Sequence, residues 1–258
     1  MKRVRFRDPA GAQRRGEWID VDGTPADDGT AGVGGRLAFG EETYAPEEVT
    51  LLPPCEPTKV VCVGLNYADH AQERGKEPPD RPLLFLKPPN TVAPPGATVT
   101  LPAGAERVDY EAEMGVVIGE QCRHLEAADA MDAVAGFTCM VDVSNRDDQD
   151  REQNWVRGKA FDGAAPLGPV LAPPEAVPAD ATVELWVDGD RRQHSSRDRL
   201  IFPVPELLAE ITAYMTLEPG DVVATGTPAG VGPLADGDTV EVRIEGVGTL
   251  RHTVSAAD

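Results

Sequence analysis

Residues 111–119, EAEMGVVIG, read as a β-strand that begins with two carboxylates and ends in an apolar run. Side chains at i and i+2 leave a strand on the same face, so Glu111 and Glu113 project together. Tyr110 and Ala112 take the other face, and Val116, Val117 and Ile118 carry the strand into a core. A second apolar run, FTCMVDVS at 137–144, holds Asp142 where a core residue is expected. An E-x-E strand alone is more often a solvated face than a site. Asp142 counts against that reading, because an unpaired buried charge is costly. Clustered carboxylates repel one another unless a cation lies among them. Oxygen ligands with no Cys or His beside them favour Mg²⁺, Mn²⁺ or Ca²⁺ over Zn²⁺.

Outward from these strands the chain alternates short β pieces with turns. KVVCVGL at 59–65 reads as a buried strand. NYADHAQERG then reads as a short helix, with Asn66 able to cap its start and Gly75 able to end it. Residues 77–96 are Pro-rich and read as irregular. Residues 182–187 lead into Asp188-Gly189, a hairpin signal, and Glu245-Gly246 turns a second pair within 239–254; residues 221–224 are a further strand. Val204, Leu207, Leu208, Ile211, Tyr214 and Met215 have helical spacing and predict an amphipathic helix over 203–217. Residues 1–57 carry short strand-like pieces around Val4, Trp18 and Leu37 between Asp/Gly/Pro turns, and end in a Pro-rich linker at 51–57. The expectation is a β-rich α+β fold, with a small N-terminal β domain over 1–57 and a larger domain over 58–258.

The charge excludes some functions. The chain of 258 residues carries 44 acidic and 24 basic side chains, a net charge of −20, so nucleic acid and anionic membrane surfaces are not expected partners. No segment reaches the ~18 apolar residues of a membrane span, and MKRVRFRDPAG at the start has no apolar stretch after it; a cytoplasmic protein is expected. Cys55, Cys62, Cys122 and Cys139 match no zinc spacing and read as buried thiols.

Several other residues have chemistry to offer. His70 and Glu73 stand at i and i+3 on one helix face, where a carboxylate can orient an imidazole that activates water. An exposed helix with incidental charges would look the same. Lys159, in RGKAFD, could neutralise a substrate carboxylate or a developing enolate, or could simply lie on the surface. TGTPAGVG at 225–232 lacks the Lys and spacing of nucleotide-binding loops, yet its backbone N–H groups could hold a carboxylate. His124, His194 and His252 have no partner suggested by the sequence.

Six segments in order resemble the fumarylacetoacetate hydrolase family: GLNYADHAQE (64–73), FLKPPN (85–90), DYEAEMGVVIG (109–119), VDVSNRD (141–147), GKAFDGAAPLGP (158–169) and LEPGDVVATGTPAGVG (217–232). The resemblance implies a catalytic domain of rolled, mixed β-sheets with a few helices, usually dimeric. It implies that Glu111, Glu113 and Asp142 bind Mg²⁺ or Mn²⁺. It implies that His70 and Glu73 form a water-activating dyad on a lid that orders over substrate, and that Lys159 assists at the reacting carbonyl. Lys87, Arg146, Gln149 and Thr227 would contact the substrate. Met140 stands where the family often has Asn, and Gly163 or Ala164 where it often has a bulkier side chain, which bears on pocket size.

Acylpyruvate hydrolases and 2-hydroxyhepta-2,4-diene-1,7-dioate isomerases are the members most resembled. The expected substrate is a 2-oxo acid, and the expected reaction is metal-dependent hydrolysis of a C–C bond in an acylpyruvate-like acid through a stabilised enolate. Isomerisation of a 2-hydroxydienedioate, or decarboxylation of 5-oxopent-3-ene-1,2,5-tricarboxylate or oxaloacetate, are alternatives. A binding protein without turnover is a further one, against which His70, Glu73 and Lys159 together argue. One prediction rests on composition alone. With only five lysines and a net charge of −20, the chain looks either adapted to high salt, where self-repulsion is screened, or shaped by a GC-rich genome. The salt reading expects the melting temperature to drop when salt is dialysed away; a melting temperature indifferent to salt would leave only the genomic one.

Overall fold

A computed structural model describes residues 1–20 and 35–257. The Asp/Gly/Pro stretch between the second and third N-terminal strand pieces lies outside the described residues. Among the described residues the fold is strand-rich, with three sheets of twelve, three and five strands. Among the described residues the longest helix is Val204–Tyr214, and no helix is long and apolar enough to cross a membrane.

The strand Ala112–Ile118 is buried on both faces and forms the centre of the large sheet. It pairs antiparallel with Val134–Val141 on one side and with Val222–Ala224 on the other. Val222–Ala224 pairs in parallel with Val60–Gly64, which pairs in turn with Leu83–Lys87. Val134–Val141 continues to Ala165–Ala172. There the N-terminal strand Lys2–Arg7 joins through Arg3 opposite Leu171, so the described strands before residue 58 extend the same sheet. The five-stranded sheet packs over this layer, and Thr182–Val187 shows the alternating burial of a strand with one face in the core.

Three local expectations need correction. Leu83–Lys87, inside the Pro-rich stretch expected to be irregular, is a regular strand; Pro82 and Pro88 bound it without interrupting its ladder. Leu51 and Leu52, expected as linker, lie in a strand, Thr50–Leu52, that pairs with Arg5–Arg7. Asn66 does not cap the helix Ala68–Glu73, whose N-cap is Tyr67. The Asn66 amide instead donates to the carbonyls of Phe202 and Thr225, and its carbonyl accepts from the Phe202 N–H at 2.8 Å. A fully buried amide is better satisfied by these distant backbone groups than by a helix end.

The predicted helix over 203–217 is present as Val204–Tyr214, with Val204, Leu207, Leu208 and Ile211 buried. Asp188 and Gly189 both have positive φ in the predicted hairpin turn. All four cysteines are buried free thiols.

His252 is fully buried on the strand Gly248–Ser255, and its Nε2 has no hydrogen-bond partner among the described residues. Burial pushes its imidazole down to about 4, with only the Thr253 carbonyl opposing. The unfolded chain takes up that proton near pH ~6.5, so stability falls as pH drops from there through about 4. The expected loss is about 3 kcal/mol across the window. Urea melts at pH 7 and 4.5 should show His252→Leu losing less stability than the parent by roughly this amount; parallel losses would place the acid sensitivity elsewhere.

Candidate active site

The three-stranded sheet holds the key to how the carboxylates meet. Its strands Val108–Tyr110 and Ser144–Asn145 pair in the same register as Ala112–Ile118 with Val134–Val141. Both chains therefore pass from one sheet to the other at the same level, with Glu111 on one side of the joint and Asp142 on the other. The Asp142 N–H donates to the Glu111 carbonyl at 2.9 Å, which keeps them opposite. Directly opposed residues share a face, as do i and i+2, so Glu111, Glu113 and Asp142 converge. One oxygen of each lies within 4.8 Å of the others, and all three side chains are buried.

Fixed cations surround this cluster. Lys159 donates to Glu111 Oε2 at 2.9 Å, Asp142 Oδ2 at 2.7 Å and Ser144 Oγ at 2.6 Å. Its ammonium thereby neutralises and orients these carboxylates at the cavity wall. Arg146 donates to Asp109 at 2.8 Å, Glu111 at 2.5 Å and Gln149 at 2.7 Å. Lys87 is fully buried behind the cluster and does not line the cavity. Its ammonium donates to the carbonyls of Val143, Lys159 and Ala164 while standing 2.8 Å from Asp142 Oδ1. The expected substrate contact is thus a support for Asp142, which Lys87 neutralises without aiming a proton at Oδ1.

The electrostatics follow from burial and these partners. Burial alone would raise the Glu111 carboxyl, but Lys159 and Arg146 override it and hold it well below the usual carboxylate range. Among the described residues Glu113 has no ion-paired cation and accepts only the Gly226 N–H, at 2.8 Å. Burial, then the charges of Asp142 and Glu111, push it well above its ordinary value. A buried acid whose carboxyl is pushed up for want of a cation, beside an Asp142 oxygen that receives no hydrogen bond, is the donor set a hard divalent ion fits.

His70 lines the same cavity as the three carboxylates, a space of about 440 Å³. Its Nδ1 lies 3.2 Å from Glu73 Oε2, and Glu73 also accepts the Gly230 N–H at 3.1 Å. Burial lowers the imidazole below its ordinary value, and nearby Glu111 and Glu73 only partly offset this. At neutral pH the ring is therefore neutral and able to take a proton. The resemblance implied a lid, and here the helix Ala68–Glu73 is tied to the body through Asp69, whose carboxylate accepts from Ser195 Oγ at 2.5 Å.

Arg146, Gln149 and Thr227 line the cavity. Sequence reasoning missed Gln193, which is buried and ties the site's parts together. It accepts the N–H of Ala112, the residue between the two glutamates, at 2.9 Å, and donates to Thr227 Oγ1 and the Pro228 carbonyl, both at 2.8 Å. Nothing in its sequence context signals this role. Asp109, buried between Arg107 and Arg146, was missed although D-x-E-x-E at 109–113 carries a third acid at the same period. His194 does have a partner, Glu184 at 3.0 Å, away from the cavity.

Residues 59–255 match the model of the fumarylacetoacetate (FAA) hydrolase C-terminal domain. This chain belongs to the fumarylacetoacetate hydrolase family. Within it, the 5-carboxymethyl-2-hydroxymuconate delta-isomerase of Mycobacterium smegmatis has a similar structure, with a TM-score of 0.88 and 36% identity over 100% of both chains. The fumarylpyruvate hydrolase of Pseudomonas aeruginosa, solved in complex with Mn²⁺ and pyruvate, gives a TM-score of 0.73 at 30% identity, covering 94% of this chain and 97% of that one. The mitochondrial oxaloacetate tautomerase Fahd2a of Rattus norvegicus is 40% identical over 218 residues, 80% of this chain and 70% of the relative. One family scaffold thus carries hydrolytic, isomerising and tautomerising enzymes.

The Gln193 bonds generate a prediction. Gln193→Leu leaves the Ala112 N–H and the Pro228 carbonyl buried without partners, which should lower stability by about 2–4 kcal/mol in urea denaturation. An unchanged midpoint would mean that these bonds do not fasten the loop to the strand.

Proposed function

We propose that this chain is a divalent-metal-dependent hydrolase that cleaves a C–C bond in an acylpyruvate-like 2-oxo acid. The observation that carries the reading is that His70, oriented by Glu73, lines one cavity with Glu111, Glu113 and Asp142. Mg²⁺ or Mn²⁺ held by those three carboxylates would supply a Lewis acid for the 2-oxo and carboxylate oxygens of the substrate.

The chain's own residues do the rest. Thr227 Oγ1 accepts from Gln193, so its hydroxyl proton is left to donate into the cavity. Gln149 Oε1 accepts from Arg146, so its NH₂ group is likewise left as a donor. Both suit a substrate carboxylate. His70 takes a proton from water, and the oxygen attacks the distal acyl carbon. The bond between that carbon and C3 breaks, its electron pair stays with the pyruvate fragment as an enolate, and protonation at C3 gives pyruvate beside a carboxylic acid. Lys159 offsets negative charge at the cluster throughout.

A second reading, isomerisation or tautomerisation of a hydroxydienedioate or oxaloacetate, is supported by the M. smegmatis and rat relatives, and decarboxylation would use the same stabilised enolate. Loss of enol ultraviolet absorbance with acetylpyruvate, oxaloacetate and a hydroxydienedioate separates these readings. Turnover of the dienedioate alone would overturn hydrolysis, and inertness to a broad panel would point to a binding protein. Glu113→Ala should lose Mn²⁺ binding and every activity together. His70→Ala should keep Mn²⁺ yet hydrolyse acetylpyruvate about 10²–10⁴-fold more slowly; normal hydrolysis by that variant would remove the dyad from the mechanism.

A further inference from the structure

One strand reaches both halves of the site. Gln193 and Ser195 stand two apart on Asp190–Ser196, so they leave it on the same face, and both are buried while His194 between them is exposed. Their ladder partners on Thr182–Val187, Leu185 and Val183, are apolar core residues. Polar side chains on such a face are costly unless they are bonded. Gln193 bonds to the floor of the cavity, accepting the N–H of Ala112, between Glu111 and Glu113, at 2.9 Å. Ser195 bonds to the wall that carries His70: its hydroxyl donates to Asp69 Oδ2 at 2.5 Å.

Asp69 is joined in turn to His70, whose backbone N–H it accepts at Oδ1 at 2.7 Å. This half-buried carboxylate has no ion pair among the described residues, so its two oxygens serve the His70 N–H and the Ser195 hydroxyl. The N–H groups in the first turn of a helix have no partner within it, and a carboxylate there takes one of them. The helix Ala68–Glu73 is only six residues long and no side chain caps its start, so its own ladder holds it weakly. Its place comes from ties to the body. Glu73, at its other end, accepts the Gly230 N–H, and Gly230 packs against the Arg192 carbonyl of the same hairpin strand. Both members of the His70–Glu73 pair are thus held from Asp190–Ser196.

We propose that Ser195 is a positioning residue for His70. Through Asp69 it sets the imidazole over the three carboxylates, from the strand on which Gln193, two positions or roughly 7 Å away, fastens those carboxylates. The inference rests on the reading of His70 as the base that activates water, and it names what keeps that base in reach of the cluster. Ser195 itself does not line the cavity, so its effect on the rate passes through His70. A displacement of about 1 Å at a reacting group can cost ~10²-fold in rate, which is the scale on which such a tie acts.

The test is a double-mutant cycle on the Mn²⁺-loaded protein. Ser195→Ala is expected to lower kcat for acetylpyruvate hydrolysis about tenfold, with KM and Mn²⁺ affinity unchanged, and Ser195→Thr, which keeps the hydroxyl, to restore it. In a His70→Ala background Ser195→Ala should have no further effect, because its route to the reaction is gone. Hydrogen exchange at the His70 N–H, followed by NMR, should quicken about tenfold in Ser195→Ala and return to the parent rate in Ser195→Thr. Additive losses in the cycle, or a His70 N–H that exchanges alike in Ser195→Ala and the parent, would overturn the positioning role and leave the hydrolase reading standing. A parent inert toward acetylpyruvate would overturn that reading, and the exchange rates alone would then decide for or against Ser195.

Discussion

Everything in the site depends on a register. Glu111 and Asp142 face each other across an antiparallel ladder at the joint between two sheets, and Glu113 follows two residues along on the same face. Three buried carboxylates at this spacing repel strongly in a low dielectric. The protein meets that repulsion with Lys159, Arg146 and Lys87, each held by several further bonds, and leaves Glu113 short of positive charge. A slip of one residue in the ladder would turn the acids to the opposite face, so the register and the chemistry stand or fall together.

Around that register the site is assembled from pieces distant in sequence. The hairpin strand Asp190–Ser196 contributes much of the fastening. Gln193 joins the strand between the glutamates to the loop bearing Thr227, and Ser195 holds Asp69 beside His70. Glycine is required where backbones meet most closely. Gly226, at φ +94°, sends its N–H to Glu113 while a side chain there would collide with Asn66. Gly230 sends its N–H to Glu73 with the Arg192 carbonyl where a Cβ would lie. The result is a preorganised pocket, in which the bonds among the protein's own groups decide which protons remain free for a substrate.

The sequence by itself determined most of the elements and the carboxylates, imidazole and helix at the centre of the site. Period-two spacing marked Glu111 and Glu113, an acid in an apolar strand marked Asp142, and helical spacing marked both the His70–Glu73 pair and the helix Val204–Tyr214. These are local patterns, written in residues a few positions apart. What only the tertiary structure decided was which groups meet and which protons they keep. Lys87 moved from expected substrate contact to buried support, Lys159 proved committed to carboxylates, Asn66 bonded across the fold instead of capping its helix, and Gln193 emerged from a hairpin with no marking at all. Each of these outcomes depends on partners tens of residues or more away. Period and composition carry no information about such distances; burial and hydrogen-bond satisfaction settle them only once the chain has closed on itself.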